Sequence, residues 1–509
     1  MILGEAQTTI GVRATLDDLF RRAGVRDPDA LALVDPPNRE SFSDGPARNL
    51  TYGAADRAIS SLGASLYKLL PTDSLVAVQL PNTVDSIIAF LGILRAGMIA
   101  VPLPLLWRRG ELAAALASIG AKAILTTSRV GAVAHAAIAM EAAAEVFPIR
   151  HVCSFGDHLP DGVVGLDDIF DPDACEFPQT SVRPGAAAAH LAAVTFGVDA
   201  RGLVPMARSH AELTAGGLAP FLECGAPPGE NFLSTIPISS FAGIAVSLMP
   251  WLLSGGSLHL HHGFDPVTFG AQLRTLQGGV VAVPASAMIA LEQSNFLSDA
   301  DRTLISLWRA PERLAAATPW TGAASVVDVA AFGDIGIVAA RRDEYGMPAP
   351  IPNGVVCAPR GAIGAMTVIE AARSGAGTLT LRGPMVPTNA FPPAPDEGPA
   401  QRLAADKGGY RDTGYACRLD RRTQSLVITA PPAGLVTVGG YSFGQNALET
   451  CIAKEDTAAT IVALPDTDLG QRLAGTTADR NRLHAGLQTA GVNPLIPGAF
   501  RPRRAAGAA

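Results

Sequence analysis

Apolar positions recur three and four residues apart over 15–23 and again over 54–70, the spacing of amphipathic helices. Gly24 follows the first as a stop. The run Leu75-Val76-Ala77-Val78-Gln79-Leu80 reads as a buried strand within 73–80, ended by Pro81-Asn82. A helix over 84–95 closes at Gly97. Then come a strand over 99–102, a helix over 110–119 and a strand over 123–127. This alternation predicts a parallel sheet covered by helices. A second alternation follows: strand 192–195, helix near 210–217, strand near 232–236, helix 242–253, strand 257–261. From about 349 to 430 the pattern changes to short β-type runs rich in Gly and Pro, which predicts an antiparallel β subdomain. Within it, 361–376 reads as a loop or short helix. After Gly434 a small α/β module remains, and the last ten residues are expected to be disordered. No repeat of fixed period occurs beyond the two similar α/β halves.

Composition narrows the function. A chain of 509 residues predicts two to four domains or subdomains. Hydrophobic residues make up 48% and charged residues 17%, enough to bury a large core. The 39 basic and 46 acidic residues give a net charge of −7, so no basic field exists for nucleic acid. Arg501, Arg503 and Arg504 form only a short basic tail. The strongest apolar stretches, 96–107 and 241–253, contain Pro102, Pro104 and Pro250 and fall short of the roughly 20 residues a membrane span needs. Glu5 and Arg13 flank a weak apolar run that lacks the order of a signal peptide. The six cysteines include no CxxC pair, so reduced thiols and a cytoplasmic location are expected. The chain has four lysines: Lys68, Lys122, Lys407 and Lys454.

Several phrases, in order, resemble the acyl-adenylate-forming (AMP-binding) superfamily, in the manner of an acyl-CoA synthetase. They are Leu50-Thr51-Tyr52, the run from Val76 to Asn82, Leu91 to Gly97, Val101-Pro102-Leu103, Ser209-His210 and Phe264-Asp265-Pro266. Leu381-Arg382-Gly383-Pro384, Thr413-Gly414, Val438-Gly439-Gly440-Tyr441, Ala463 to Asp466 and Gly470-Gln471-Arg472 continue the series to about residue 475. The resemblance implies an α/β fold. A large N-terminal domain of two parallel helix-covered sheets plus a β subdomain would precede a short C-terminal α+β lid. The large domain is expected over 1–433, with α/β halves to about 348 and the β subdomain over about 349–433. The truncated lid is expected over 434–509. In the family, a carboxylic acid and ATP give an acyl-adenylate, which a thiol then attacks. ATP, Mg²⁺ and coenzyme A are the implied cofactors. A small carboxylic acid or acyl group is the implied ligand, and an acyl carrier or other protein a possible partner.

The family's phosphate loop wraps a triphosphate in backbone N–H groups, hydroxyls and a lysine. Here the matching stretch runs from Thr195 through Phe196, Gly197, Val198, Asp199, Ala200 and Arg201 to Gly202. It keeps only Thr195, Gly197 and Gly202 in type, with Arg201 as a candidate cation and Asp199 as an added negative charge. Arg309-Ala310-Pro311 and Phe332-Gly333-Asp334 match the adenine segments, where an aromatic ring stacks on the base. The magnesium glutamate is replaced by Gly336, with Asp334 two residues away as a candidate metal ligand. Thr413-Gly414-Tyr415 stands where the ribose aspartate is expected. Pro431-Pro432 stands in the hinge, without its Arg and Asp. No lysine follows Lys454, so the lid lysine is absent, and no spacing supports Arg482, Arg501 or Arg503 as a substitute. Ser240, Phe241 and Gly243 mark the implied acyl pocket, Ser240 replacing a histidine. His259, His261 and His262 look like a metal cluster, but only His259 and His261 share a face at strand spacing, and no third ligand of the usual spacing is near.

Two readings follow. In one, the chain is an acid–thiol ligase that uses Arg201 and Asp334 in place of lost groups. In the other, it is a non-catalytic relative that keeps the acyl cleft and binds an acyl ligand or a partner. A purely structural scaffold is a third. The losses all fall on groups that serve ATP, which favours the second.

Overall fold

The computed structural model describes residues 14–171, 185–276, 278–294, 296–297, 300–357, 367–388, 391, 405–466 and 469–500. The chain's last nine residues therefore lie outside the described residues, as do 361–366. Thr15 starts helix Leu16–Arg26 with a capping box. Its hydroxyl accepts from Asp18 N at 3.0 Å, and the Asp18 carboxylate accepts from Thr15 N at 2.8 Å. Helix Tyr52–Leu69 starts from Thr51, whose hydroxyl accepts from Ala54 N at 3.2 Å. Helix Val84–Arg95 is apolar nearly all round and buried along its whole length, as a helix between packed layers must be.

Among the described residues the first sheet has seven strands. Leu75–Val78, Ile99–Pro102, Ala123–Thr127 and His151–Phe155 run parallel at its centre. Leu191–Asp199 joins Ile99–Pro102 in parallel, and Gly202–Ser209 folds back on it as an antiparallel edge. The second sheet has eight described strands. Its parallel centre is Leu258–Leu260, Phe232–Ser234, Gly279–Pro284, Arg302–Trp308 and Ser325–Phe332, and Gly336–Arg341 lies antiparallel at one edge. Leu31–Val34 and Asn49–Thr51, which the hydrophobic pattern did not mark, add the other edge. Six described strands between Ile351 and Ala430 form a third, antiparallel sheet. The predicted loop or helix over 361–376 is corrected there: Thr367–Arg373 is a strand, seated between Gly354–Cys357 and Thr378–Arg382. Its buried Val368, Ile369 and Ala371 pack in the main core. The α/β architecture of parallel helix-covered sheets is therefore present.

Buried arginines tie these layers together. Arg95 reaches Asp17 at 2.7 Å, Asp56 at 2.7 Å and Ser60 at 2.7 Å, joining three helices. Arg39 bridges Asp35 at 2.6 Å and Asp85 at 2.5 Å. Such pairs add order more than stability, because desolvation offsets their attraction.

Residues 435–500 build a small module with its own apolar cluster around Leu448, Ile452, Leu483, Leu487 and Phe500. It docks on the start of helix Arg109–Ile119. Gly110 N donates to Gly491 O at 3.0 Å, and Asn493 N donates to the Glu111 carboxylate at 2.7 Å.

Helix packing sets one strict requirement. Phe241–Gly243, a π-helical stretch Ile244–Leu248 and Met249–Ser254 form one continuous run against helix His210–Cys224. Gly216 faces the Phe241 ring and Gly217 faces Met249, with no room for a Cβ at either. Glycine inside a helix costs about 0.5–1 kcal/mol, so close approach explains its presence. Gly217→Ala should lower stability by roughly 1–3 kcal/mol, read from denaturant or thermal unfolding.

Burial also sets a pH response. His135, His259 and His262 are each held near about 4, chiefly by burial. His135 faces Gln79 at 3.2 Å, Arg108 and His262. As pH falls from about 7 to about 4, the unfolded chain takes up protons that these folded imidazoles refuse. Stability present above the ordinary histidine value is therefore lost toward acid, by up to ~3 kcal/mol per ring. Unfolding followed from pH 7 to 4 should show the fall, and His135→Gln should flatten it.

Candidate functional site

A cleft of about 1250 Å³ opens where the strand ends of the two parallel sheets meet the β subdomain and the C-terminal module. Crevices beyond the carboxyl ends of parallel strands are the usual ligand sites of such sheets. Its walls include Gly197 from the first sheet and Trp308, Arg309, Ala310, Gly333 and Asp334 from the second. Ser239 and Ser240 precede helix Phe241–Gly243, Tyr415 comes from the third sheet, and Gly439 to Ser442 come from the C-terminal module. Met288, Ile289, Ala290 and Leu307 give it an apolar face.

The stretch matched to the phosphate loop is not a loop. Strands Leu191–Asp199 and Gly202–Ser209 pair residue by residue until Asp199 faces Gly202, leaving a two-residue turn. The Asp199 carboxylate makes the turn, accepting from Arg201 N at 2.7 Å and Gly202 N at 3.1 Å. Arg201 stands at the tip, its side chain 66% exposed and outside the cleft. The turn supports the C-terminal module instead. A Cβ on Gly434 would lie 3.2 Å from Ala200 Cβ, and one on Gly444 would lie 3.1 Å from Asp199 O.

Asp334 is buried on the cleft wall. Its carboxylate accepts from the Thr195 hydroxyl and from Phe241 N at 3.1 Å, and Arg208 Nη1 lies 3.8 Å away. Arg208 also donates to the Asp334 and Ile335 carbonyls, and its guanidinium stacks 3.8 Å from the Phe241 ring centroid. Burial holds Arg208 below the ordinary arginine value, with Asp334 opposing that shift. A divalent cation wants free carboxylate oxygens. Asp334 is already engaged by two donors and a cation, so its environment does not fit a magnesium ligand. Among the described residues no group of three or more His, Cys, Asp or Glu is placed to hold a metal ion.

The remaining predicted positions divide. Gly197, Ser240, Ala310, Gly333 and Asp334 line the cleft. Thr195, Gly202, Pro311, Phe332, Phe241, Gly243 and Thr413 do not. Thr195 serves Asp334, Thr413 donates to Leu379 O at 2.8 Å, and Phe241 and Phe332 are fully buried core. The Phe332 ring meets Tyr415 edge-on, with centroids 5.6 Å apart. Tyr415, where a ribose carboxylate was expected, is buried on the cleft wall, and burial pushes its phenol up.

Sequence reasoning gave Arg309 no role of its own, treating it only as part of a phrase. Its side chain lies in the cleft, and Nη2 donates to Ser240 Oγ at 2.7 Å. No described carboxylate is within ion-pair distance of it. Burial holds it below the ordinary arginine value, with Asp334 and Tyr415 opposing. The signal was present: an arginine opens the segment that the resemblance aligns with the adenine site.

Among the described residues no helix is long and apolar enough to cross a membrane. A family model described as AMP-binding enzyme matches residues 20–192. A nonribosomal peptide synthetase, kk1B of Curvularia clavata, is 34% identical over 109 residues, 21% of this chain and 1% of the synthetase. This chain thus spans only a few per cent of the first curated relatives it matches. A methyl-dioxo-octahydroindenyl-propanoyl:CoA ligase of Mycobacterium tuberculosis is 27% identical over 482 residues, 90% of this chain and 87% of the ligase. Among solved structures, the artificially fused adenylation–PCP di-domain NpsA-ThdA from Klebsiella oxytoca superposes with a TM-score of 0.68. It does so at 15% identity over 94% of this chain and 91% of that one. Fold, order of motifs and the family match over residues 20–192 agree, and together they support the resemblance to the acyl-adenylate-forming, AMP-binding superfamily.

Proposed function

We propose that this chain is a non-catalytic member of its superfamily whose cleft binds an acyl-type ligand without activating it. The observation that carries this reading is the two-residue turn at Ala200-Arg201. A triphosphate needs several converging N–H donors. Here Asp199 has taken the N–H groups of Arg201 and Gly202, and the turn abuts Gly434 and Gly444. The residues present do not fit ATP with Mg²⁺. The engaged Asp334 and the tyrosine at position 415 support the same reading. The cleft itself persists, with an apolar face suited to an acyl group. Coenzyme A, an acyl carrier or another protein partner would enter only as the bearer of that group.

The ligase reading is favoured by one observation, the similarity to a CoA ligase along 90% of the chain. Calorimetric titration with ATP and Mg²⁺ separates the two. The expected result is no binding tighter than about 1 mM, roughly −4 kcal/mol, and no pyrophosphate release with carboxylic acids. Tighter binding that weakens in Asp334→Ala, with pyrophosphate release, would restore the ligase.

Asp334→Ala has a second expected outcome. It leaves the Arg208 guanidinium buried without its carboxylate. Stability should therefore fall by about 3 kcal/mol or more, read from denaturant midpoints with and without Mg²⁺. A loss seen only when Mg²⁺ is present would contradict the structural role given to this carboxylate.

A further inference from the structure

Resting on the acyl-binding reading, we infer that Arg309 is the anion anchor of the cleft, gripping the free carboxylate of an apolar acid. A guanidinium drawn out of water without a counter-charge is costly, and such groups are normally paired. Three buried guanidinia of this chain follow that rule, whereas Arg411 is buried with no described carboxylate within ion-pair distance. Arg39 holds Asp35 and Asp85, Arg95 holds Asp17 and Asp56, and Arg342 holds Asp328 at 2.8 Å. Arg309 is held in place by Ser240, a neutral hydroxyl, and among the described residues it has no carboxylate partner. Asp334, the acid that acts on it electrostatically, is already engaged by Thr195, Phe241 N and Arg208.

The anchor is also sterically prepared. Gly440 sits at φ +82 over the Arg309 stem, and a Cβ there would lie 2.6 Å from Arg309 Cδ. The C-terminal module thus closes on the anchor only because position 440 has no side chain. The guanidinium keeps N–H donors beyond the one on Ser240. A carboxylate is the planar anion that such a fork grips best. Met288, Ile289 and Leu307 on the same cleft supply an apolar surface for the tail. The ligand class is therefore an unactivated apolar carboxylic acid, bound as the anion.

Trp107, Trp308 and Trp320 line the cleft and report occupancy by their fluorescence. The full chain would be titrated with decanoate, with decanol as the uncharged match and with inorganic phosphate. Wild type should bind decanoate tighter than about 1 mM and at least tenfold tighter than decanol. Arg309→Gln should lose at least tenfold for decanoate and leave decanol unchanged. Arg309→Lys should recover part of the loss. Thermal unfolding of both variants checks that the fold is kept. If Arg309→Gln binds decanoate as wild type does, or if wild type ignores decanoate, the anchor is overturned. Equal or tighter binding of phosphate would also overturn it, pointing to a phosphate-bearing ligand. These outcomes do not depend on ATP. Pyrophosphate release would sink the non-catalytic reading alone, and loss of charge selectivity would sink the anchor alone.

Discussion

A single buried carboxylate fastens the two halves of this protein together. Asp334 lies in the turn between strands Ser325–Phe332 and Gly336–Arg341 of the second sheet. Thr195 and Arg208, which face it, come from two strands of the first sheet, and Phe241 N comes from the start of the helix that packs against His210–Cys224. Four elements meet on one side chain. Low dielectric makes such a network strong when complete and costly when any member is removed. The cleft has a firm wall for that reason, and for the same reason the wall is not free to coordinate a cation.

The neighbouring hairpin shows how a few side chains change what a segment does. A loop that cradles phosphates needs unpaired N–H groups and glycines that let the backbone turn toward the ligand. Here the residues before and after the turn pair with each other, from Leu191 with Ser209 to Asp199 with Gly202. Asp199 then takes up the turn's own N–H groups. Once the donors are spent inside the hairpin, the tip packs on Gly434 and Gly444. What would face a nucleotide becomes a support for the C-terminal module.

The alternation of strands and helices was legible because a parallel sheet buries both faces and leaves continuous apolar runs, as at Leu75–Val78 and Ala123–Thr127. Edge strands were not. Leu31–Val34 and Asn49–Thr51 are short and partly exposed; they pair with each other, and only Leu31–Val34 joins the sheet, through the distant strand Leu258–Leu260, so their place is set by chain far away. Strand Thr367–Arg373 was missed because the glycines and alanines beside it diluted the pattern. In the cleft, residues that depart from the family pattern were legible as departures. Asp199 was read as a charge unfavourable to phosphate, yet its action is a turn that only the pairing register defines. Arg201, read as a cation for phosphate, points to solvent because that same turn is so tight.

Arg309 and Asp334 lie on one cleft and differ in how their charge is answered. Asp334 is satisfied entirely from within, by groups that hold the sheets together. Arg309 is positioned from within, by Ser240 and the bare backbone of Gly440, while its charge is left over. A residue retained only for packing would not need a charge, since an aliphatic chain of similar length fills space without the desolvation cost. A residue retained for binding does need one, placed beside an apolar face and beneath a closing module. Under that proposal, the departures from the ATP-site pattern and the cation without a carboxylate partner belong together. On the non-catalytic reading proposed above, a cleft that does not activate a carboxylate has reason to hold it by its charge.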